Sequence, residues 1–411
     1  MRKKITVILF CVYCVCVQAQ VQYTQIFDNN IKTLEISENA IIQLNSDEIL
    51  KINFDELSYQ TKNFSYKITY CNADWTPSNL AEFEYLTGIN WADIDEAQQS
   101  INTTFYYTHY KFYFPNEQLK PKISGNYIIS VFESTIPDKI LFQLRFCVWE
   151  KEANIVAKVR TNTDFGVNTK FQQIDFDVVT EKNISDPFSE IKVCIKQNRR
   201  TDNEVSNIKP SFISGKKLTF SNNPKLIFEG GNEYRSFDIA NIRILDDGIR
   251  KIQYFEPYYH VDIQEDKFRS GKSYQFRKDI NGRFVINLQR NNYEKELEAD
   301  YMFVHFSLPK DAPFFDGRVF VTGDFNLQLL NKNSEMKYNN DSKSYIHTEL
   351  LKQGGYNYQY LFVQKGETKG NSALIEGSFW ETENEYEIFV YHRPIGSRYD
   401  KLIGYQSLRA N

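Results

Sequence analysis

Apolar and polar residues alternate in short runs along most of this chain, and β-branched and aromatic side chains fill the apolar positions. A period of two marks strands that bury one face. It runs through residues 65–70 (SYKITY), 127–132 (YIISVF), 154–159 (NIVAKV), 174–179 (IDFDVV), 191–195 (IKVCI), 283–288 (RFVINL) and 387–391 (EIFVY). Turn signals separate the runs: Ser124-Gly125-Asn126, Asp247-Gly248, Asn281-Gly282, Asp316-Gly317 and Gly354-Gly355. Asn281-Gly282 suits a tight hairpin. The strongest helix candidate is a short piece at 91–99. Short strands spaced about 10 residues apart, without helices between them, predict an all-β chain of tandem immunoglobulin-like or early-set-like β-sandwich domains. Aromatic residues make up 15% of the chain and supply large apolar faces to fill the space between sheets.

Two charged stretches punctuate the pattern. One follows a strand at 149–153 (WEKEA), and the other precedes a new apolar run at 291–298 (NNYEKELE). They divide the chain into a leader at 1–19 and units at 20–150, 151–295 and 296–411, each of normal domain size.

The first unit contains an unusual connection at 71–116. It is rich in both aromatic and acidic residues and links the strand at 65–70 to another at 110–114. Loops this long are uncommon and are either functional or disordered. The aromatic content argues against disorder. This stretch reads as a built surface for another macromolecule, or as a loop that folds back over its own sandwich. Its candidate partner-binding residues are Trp75, Phe83, Glu84, Tyr85, Trp91 and Asp93.

The N-terminus changes the setting. Arg2, Lys3 and Lys4 precede an apolar stretch at 5–17, and Val17-Gln18-Ala19 is a small-residue cleavage site. This is the pattern of a secretory signal, too short to span a bilayer as a stable helix. Its removal leaves 46 basic residues against 53 acidic ones, so the net charge moves from −4 to −7. That balance disfavours nucleic acid and anionic lipid and suits a protein partner. Cys71, Cys147 and Cys194 remain after cleavage. Cys71 and Cys147 share the first unit and are either a disulfide or buried free thiols.

Catalytic signatures are missing from the sequence. His109, His260, His305, His347 and His392 have no metal-ligand spacing, and no GxSxG, HExxH, GxGxxG or Walker loop occurs. Acidic pairs such as Asp246-Asp247 and Asp93/Asp95 read as solvated loop charge. No enzyme activity, metal or cofactor is expected. Two further segments carry candidate partner contacts. Arg235 follows Gly230-Gly231 in FEGGNEYRSFDI, where it belongs either to a binding turn or to a hairpin that it pins. Arg393 ends EGSFWETENEYEIFVYHRP, which reads as a half-exposed strand near a sheet edge and is either a recognition surface or a charged guard against aggregation. The third unit (YMFVHFSL, GRVFVTGDFN, GYNYQYLF) resembles early-set domains, including glycogen- and starch-binding modules. Leu327, Gln328, Leu329 and Leu330 stand where those modules carry a sugar-stacking tryptophan, and the next tryptophan is Trp380.

Four segments together carry a wider resemblance: CNADWTPSNLAEFEY with YTHYKFYFPN, QNRRTDN, FEGGNEYRSFDI, and EGSFWETENEYEIFVYHRP with RYDKLIGY. Across essentially the whole mature chain the sequence resembles the plug protein family of the type IX secretion system of the Bacteroidota. The resemblance implies a row of β-sandwich domains in the periplasm. It also implies one partner, the large outer-membrane translocon β-barrel, whose periplasmic opening the protein closes when no cargo is passing. A glycan-binding module built on the early-set-like unit is the alternative.

Overall fold

The computed structural model describes residues 21–37, 40–245, 248–289 and 294–410. The leader at 1–19, Asp246-Asp247 and part of the expected boundary at 291–298 lie outside the described residues.

Alternation along each strand builds three all-β sandwiches. In the first, one sheet runs in the order Gln25–Ile26, Ile140–Trp149, Gly125–Glu133, Phe64–Cys71, Ala92–Ile94, with Ile41–Gln43 added in parallel to Ile140–Trp149. The facing sheet runs Ile31–Ile36, Leu50–Glu56, Thr108–Phe114, Glu96–Gln99. Ile52, Phe54, Tyr110 and Phe112 point inward against Tyr66, Ile68 and Phe142. Phe54 stacks on Tyr110 at 5.1 Å between centroids. The intervening residues Lys51, Asn53, Asp55 and His109 therefore emerge on the outer face.

The connection at 71–116 is more regular than its sequence suggests. It holds the helical turn Glu82–Tyr85 and the short strands Leu86–Thr87, Ala92–Ile94 and Glu96–Gln99. The helix expected at 91–99 is absent: Ala92–Ile94 pairs with 64–66 and Glu96–Gln99 with 108–111. Tyr85, Leu86, Ala92 and Ile94 enter the first core, so the segment folds back over its own sandwich. Burial of alternate residues at 92 and 94 against an existing sheet edge outweighs weak helical propensity.

The second sandwich pairs Ala153–Arg160, Phe171–Thr180, Lys217–Phe220 and Phe212–Ser214 in one sheet. Its other sheet runs Val205–Ser206, Ile191–Gln197, Glu385–His392, Lys401–Arg409. The linear division at 151–295 and 296–411 thus differs from the observed pairing. The last two strands of the chain complete the second sandwich, and Tyr386, Ile388, Val390 and Ile403 belong to its core. The third sandwich, from Arg235 to Gln364, is inserted between the two halves of the second. Glu385–His392 is consequently an internal strand, where an edge position was expected, and seven of its eight residues are buried.

In the third sandwich, Arg235–Asp238, Gly354–Gln364 and Phe284–Ile286 form one sheet, joined by Gly317–Thr322. The other runs Ile249–Phe255, Tyr258–Ile263, Tyr301–Pro309, Ser344–Lys352, Lys337–Asn339. Asn281 and Gly282 adopt φ of 52° and 82°, the left-handed pair a tight turn requires. They do not close a hairpin, because residues 264–280 form no strand. The chain enters this sandwich through Gly230, where a Cβ would meet the Phe379 carbonyl oxygen at 2.0 Å. Only glycine fits there.

Candidate docking surface

The sandwiches lock together through buried polar contacts, which determines which residues remain free for a partner. Between the first and third, Lys352 Nζ lies 2.6 Å from Asp55 Oδ2. Asp55 also accepts from Tyr301 Oη at 2.7 Å and faces His109 Nδ1 at 2.7 Å. Burial alone would raise the Asp55 carboxyl, but Lys352 and His109 hold it below its ordinary value. Asp300 accepts from the Thr104 and Phe105 amides, and Tyr107 Oη donates to the Ala299 carbonyl at 2.9 Å. Between the first and second, Cys71, Trp75, Ile128, Cys147, Cys194, Phe389, Tyr391 and Leu402 form a separate apolar cluster.

These interfaces consume several of the sequence candidates. Trp75 is 4% exposed, with a φ of 63°. Its ring lies under the Arg145 guanidinium at 4.3 Å, inside the cluster that joins two sandwiches. Tyr85 is buried against Tyr70 and Tyr127, and burial pushes its hydroxyl up to about 12. Trp91 is half-buried, edge-on to Phe132 at 4.9 Å, and its Nε1 donates to exposed Asp93 at 3.3 Å. Arg235 is buried between Glu376 and Asp266, at 2.9 and 2.7 Å. Burial would lower the Arg235 guanidinium; the two carboxylates raise it well above its ordinary value. Arg235 is therefore a structural pin of the third sandwich. Arg393 donates to the Ser397 and Arg398 carbonyls and shapes its own loop.

Phe83 and Glu84 remain at the surface. Phe83 is 73% exposed at the tip of the helical turn. Glu84 caps that turn at the Ala81 amide and pairs with Arg398, which ties the first sandwich to the hairpin loop of the second. Asn90 Nδ2 donates to Glu82 Oε1 at 2.8 Å and holds the next loop beside the turn. Exposed apolar residues stand on each of these linked segments: Phe83 on the turn, Ile89 at 83% exposure in the next loop and Ile395 at 80% in the hairpin loop. Ile89 and Ile395 were not singled out by sequence, although large apolar residues flanked by glycine or proline in loops were visible signals.

The cysteines settle a second alternative. Cys71 and Cys147 both stand opposite Asn126, on the two strands that flank it. Two strand spacings separate them by about 10 Å, beyond the reach of a disulfide. Cys71, Cys147 and Cys194, the cysteines among the described residues, are free and buried.

A profile for the first domain of type 9 secretion system plug proteins matches residues 21–150. A crystal structure of a hypothetical protein from Parabacteroides merdae superposes with a TM-score of 0.93 at 38% identity, covering 95% of this chain and all (100%) of that one. The chain belongs to the type IX secretion system plug protein family. Two other solved structures align with 9% identity. They are the partial N-terminal region of an enterococcal surface protein (TM-score 0.16, 95% of this chain and 96% of that) and the B domain of a biofilm-associated protein (TM-score 0.19, 94% and 88%). No curated protein matches.

The outer face of the third sandwich carries Tyr258, His260, Phe303 and His305, joined by Phe105 of the first. Phe105 stacks on Tyr258 at 3.9 Å, and His260 stacks on Phe303 at 5.0 Å and on His305 at 5.2 Å. The ring faces cover one another, so they offer no flat platform for a sugar. Among the described residues, no group of three or more His, Cys, Asp or Glu could hold a metal ion.

Proposed function

We propose that this protein is the periplasmic stopper of the type IX translocon, seated against the large outer-membrane β-barrel and closing its opening between cargo passages. The observation that carries the reading is the interlocking of the sandwiches in a member of the plug family. The third is inserted into the second, and the first is joined to the third by a buried ion pair and to the second by an apolar cluster. Such a body blocks a pore by shape. Wide barrels enclose water-filled lumens. Compact-chain scaling gives a radius of gyration of about 21 Å for roughly 390 residues, hence a width of about 50 Å. That suits a conduit far wider than an ordinary porin.

The docking surface on this reading is the patch of Phe83, Ile89 and Ile395. It is small, which fits a contact that must release. Interface area does not fix affinity, so a weak reversible contact is physically available. The test is deletion of the gene in a strain with an intact type IX system, followed by measurement of large-antibiotic entry. Leakage with the barrel present, and none when the barrel is also deleted, is the expected outcome. Unchanged permeability in the single deletion overturns the reading.

A further inference from the structure

A cleft of about 1060 Å³ lies where the three sandwiches meet. That is at the upper limit of small-molecule sites, about 300–1,000 Å³, and leaves room for a stretch of chain. Each sandwich sends one unpaired cation to its lining. Lys51 stands on the outer face of Leu50–Glu56 in the first, Arg409 ends Lys401–Arg409 in the second, and Lys278 precedes the turn at Asn281-Gly282 in the third. All three are exposed and join no ion pair among the described residues. The other lining cations are engaged. Arg199 pairs with Asp324, Arg283 with Glu385, and Lys196 with Glu204 at 3.8 Å. Arg145 is held by the Gln22 carbonyl and the Trp75 ring.

The lining carboxylates are mostly spent. Asp324 and Glu385 are the partners just named. Asp279 accepts from the Tyr234 and Asn281 amides, and Glu387 accepts from Tyr405 Oη at 2.8 Å. Glu35 is half-buried, and burial pushes its carboxyl above the ordinary range. Glu383 is the one exposed carboxylate on the lining, against three exposed and unpaired cations. That balance calls for an anionic occupant. Unpaired polar atoms narrow its class. Gln328 Nε2 donates to the Asn198 carbonyl at 3.0 Å and to Asp324 Oδ1 at 2.7 Å, which fixes Oε1 as an acceptor. Gln328 Oε1, Asn53 Oδ1 and Arg199 Nε line the cleft without a hydrogen-bond partner, and the two amide residues are only 5% and 9% exposed. Buried polar atoms are almost always paired, so these mark a missing ligand. A phosphate anion satisfies the cations but brings no N–H to the two acceptors. A peptide backbone supplies both N–H and C=O groups.

We propose that this cleft receives an acidic segment of a partner protein, its carboxylates held by Lys51, Lys278 and Arg409 and its backbone N–H groups reaching Asn53 and Gln328. Such a segment bridges all three sandwiches at once, because each supplies one of the cations. The assignment does not depend on the translocon reading: Phe83, Ile89 and Ile395 are not among the lining residues.

The probe is a short rhodamine-labelled peptide of alternating glycine and aspartate, compared with its glycine–asparagine counterpart and with an aspartate version N-methylated at alternate amides. Anisotropy titration against the mature chain is expected to give saturable binding of the aspartate peptide, weakened by salt. The asparagine and N-methylated versions bind at least about tenfold more weakly. Lys51→Glu, Lys278→Glu and Arg409→Glu are each expected to weaken the aspartate peptide about tenfold, and Lys182→Glu, an exposed lysine outside the lining, to leave it unchanged. All four alter exposed side chains, so an unchanged thermal midpoint keeps each arm valid. Absence of saturable binding, equal binding of the aspartate and asparagine peptides, an equal loss with Lys182→Glu, or a loss confined to one of the three lining cations overturns the proposal. So does displacement by inorganic polyphosphate as effective as by unlabelled peptide, because the site then reads charge alone. A dimer in sedimentation that the three substitutions together abolish also overturns it, because the occupant is then a second copy.

Discussion

Lys352 and Asp55 form an ion pair across the junction of the first and third sandwiches, 297 positions apart in sequence, with both side chains 1% exposed. The pair is closed off from water. Lys352 also donates to the Glu296 carbonyl at 2.7 Å and lies over the Tyr107 ring at 4.2 Å. Removing one partner strands the other charge in a low dielectric, at a cost of about 3–5 kcal/mol. Asp55→Asn is expected to lower the urea midpoint accordingly. The double variant Asp55→Leu/Lys352→Met should recover much of the loss, because neither charge is then buried alone. A double variant no better than Asp55→Asn would show that shape, not charge, holds this junction.

The same pair sets an acid limit. The folded-state pKa of Asp55 lies below its ordinary value of 3.8. A depressed carboxyl contributes stability that is present above the unfolded pKa and lost as pH falls through the folded one. The junction is therefore expected to hold throughout the neutral and mildly acidic range and to loosen only below about pH 4. Glu387 has the opposite sign: its raised pKa means that stability is lost as pH rises from its ordinary value of 4.5 towards the folded value, and the penalty is complete above the latter. Glu387→Gln should raise the thermal midpoint at neutral pH and change it little in acid. Hydrogen exchange at the 296–301 amides, followed from pH 7 to pH 3, separates the two effects.

Burial pushes the Cys71 and Cys147 thiols up to about 12 and Cys194 well above its ordinary value. The thiolate is the reactive form, so all three should resist alkylation in the native protein. Mass spectrometry after iodoacetamide should show no adduct on the folded chain and three on the chain unfolded without reductant. Fewer than three in the unfolded chain would reveal a disulfide and contradict the strand register around Asn126.

Gly230 gives a sharper test of how the third sandwich is attached. A methyl group at this position requires the Phe379 backbone to move, since the gap is 2.0 Å. Overpacking of this kind costs about 1–3 kcal/mol. Gly230→Ala should therefore destabilise the protein by that amount, and limited proteolysis should reveal new cleavage near 377–382.

Strand existence was legible because alternation is a local signal: 65–70, 127–132 and 174–179 all lie inside observed strands. Order in space was not legible. The segment EYEIFVYH looks like an edge in isolation because its charged residues alternate with apolar ones. It is central because Ile191–Gln197 pairs along one side and Lys401–Arg409 along the other, nearly two hundred positions away in one case. Arg235 shows the same limit. An arginine after a glycine pair signals recognition or anchoring equally well, and only the distant Asp266 and Glu376 decide between them. The aromatic loop at 71–116 stood out by its length and composition, but its large residues divide between core and surface in a way that periodicity over so few residues does not encode.

That division separates docking from folding in one experiment. Tyr85 is 5% exposed and Phe83 is 73% exposed, two positions apart on one helical turn. Tyr85→Ala opens a cavity in the first core and should cost about 3–5 kcal/mol, as deletion of a buried aromatic does. Phe83→Ser, alone or with Ile89→Ser and Ile395→Ser, removes only exposed side chains and should leave the thermal midpoint within about 1 °C per substitution, the behaviour of surface changes. If the patch seats against the barrel, the triple variant should co-purify with it at least about tenfold less well after gentle detergent extraction. Retention of full capture by a stably folded triple variant would remove this surface from the contact.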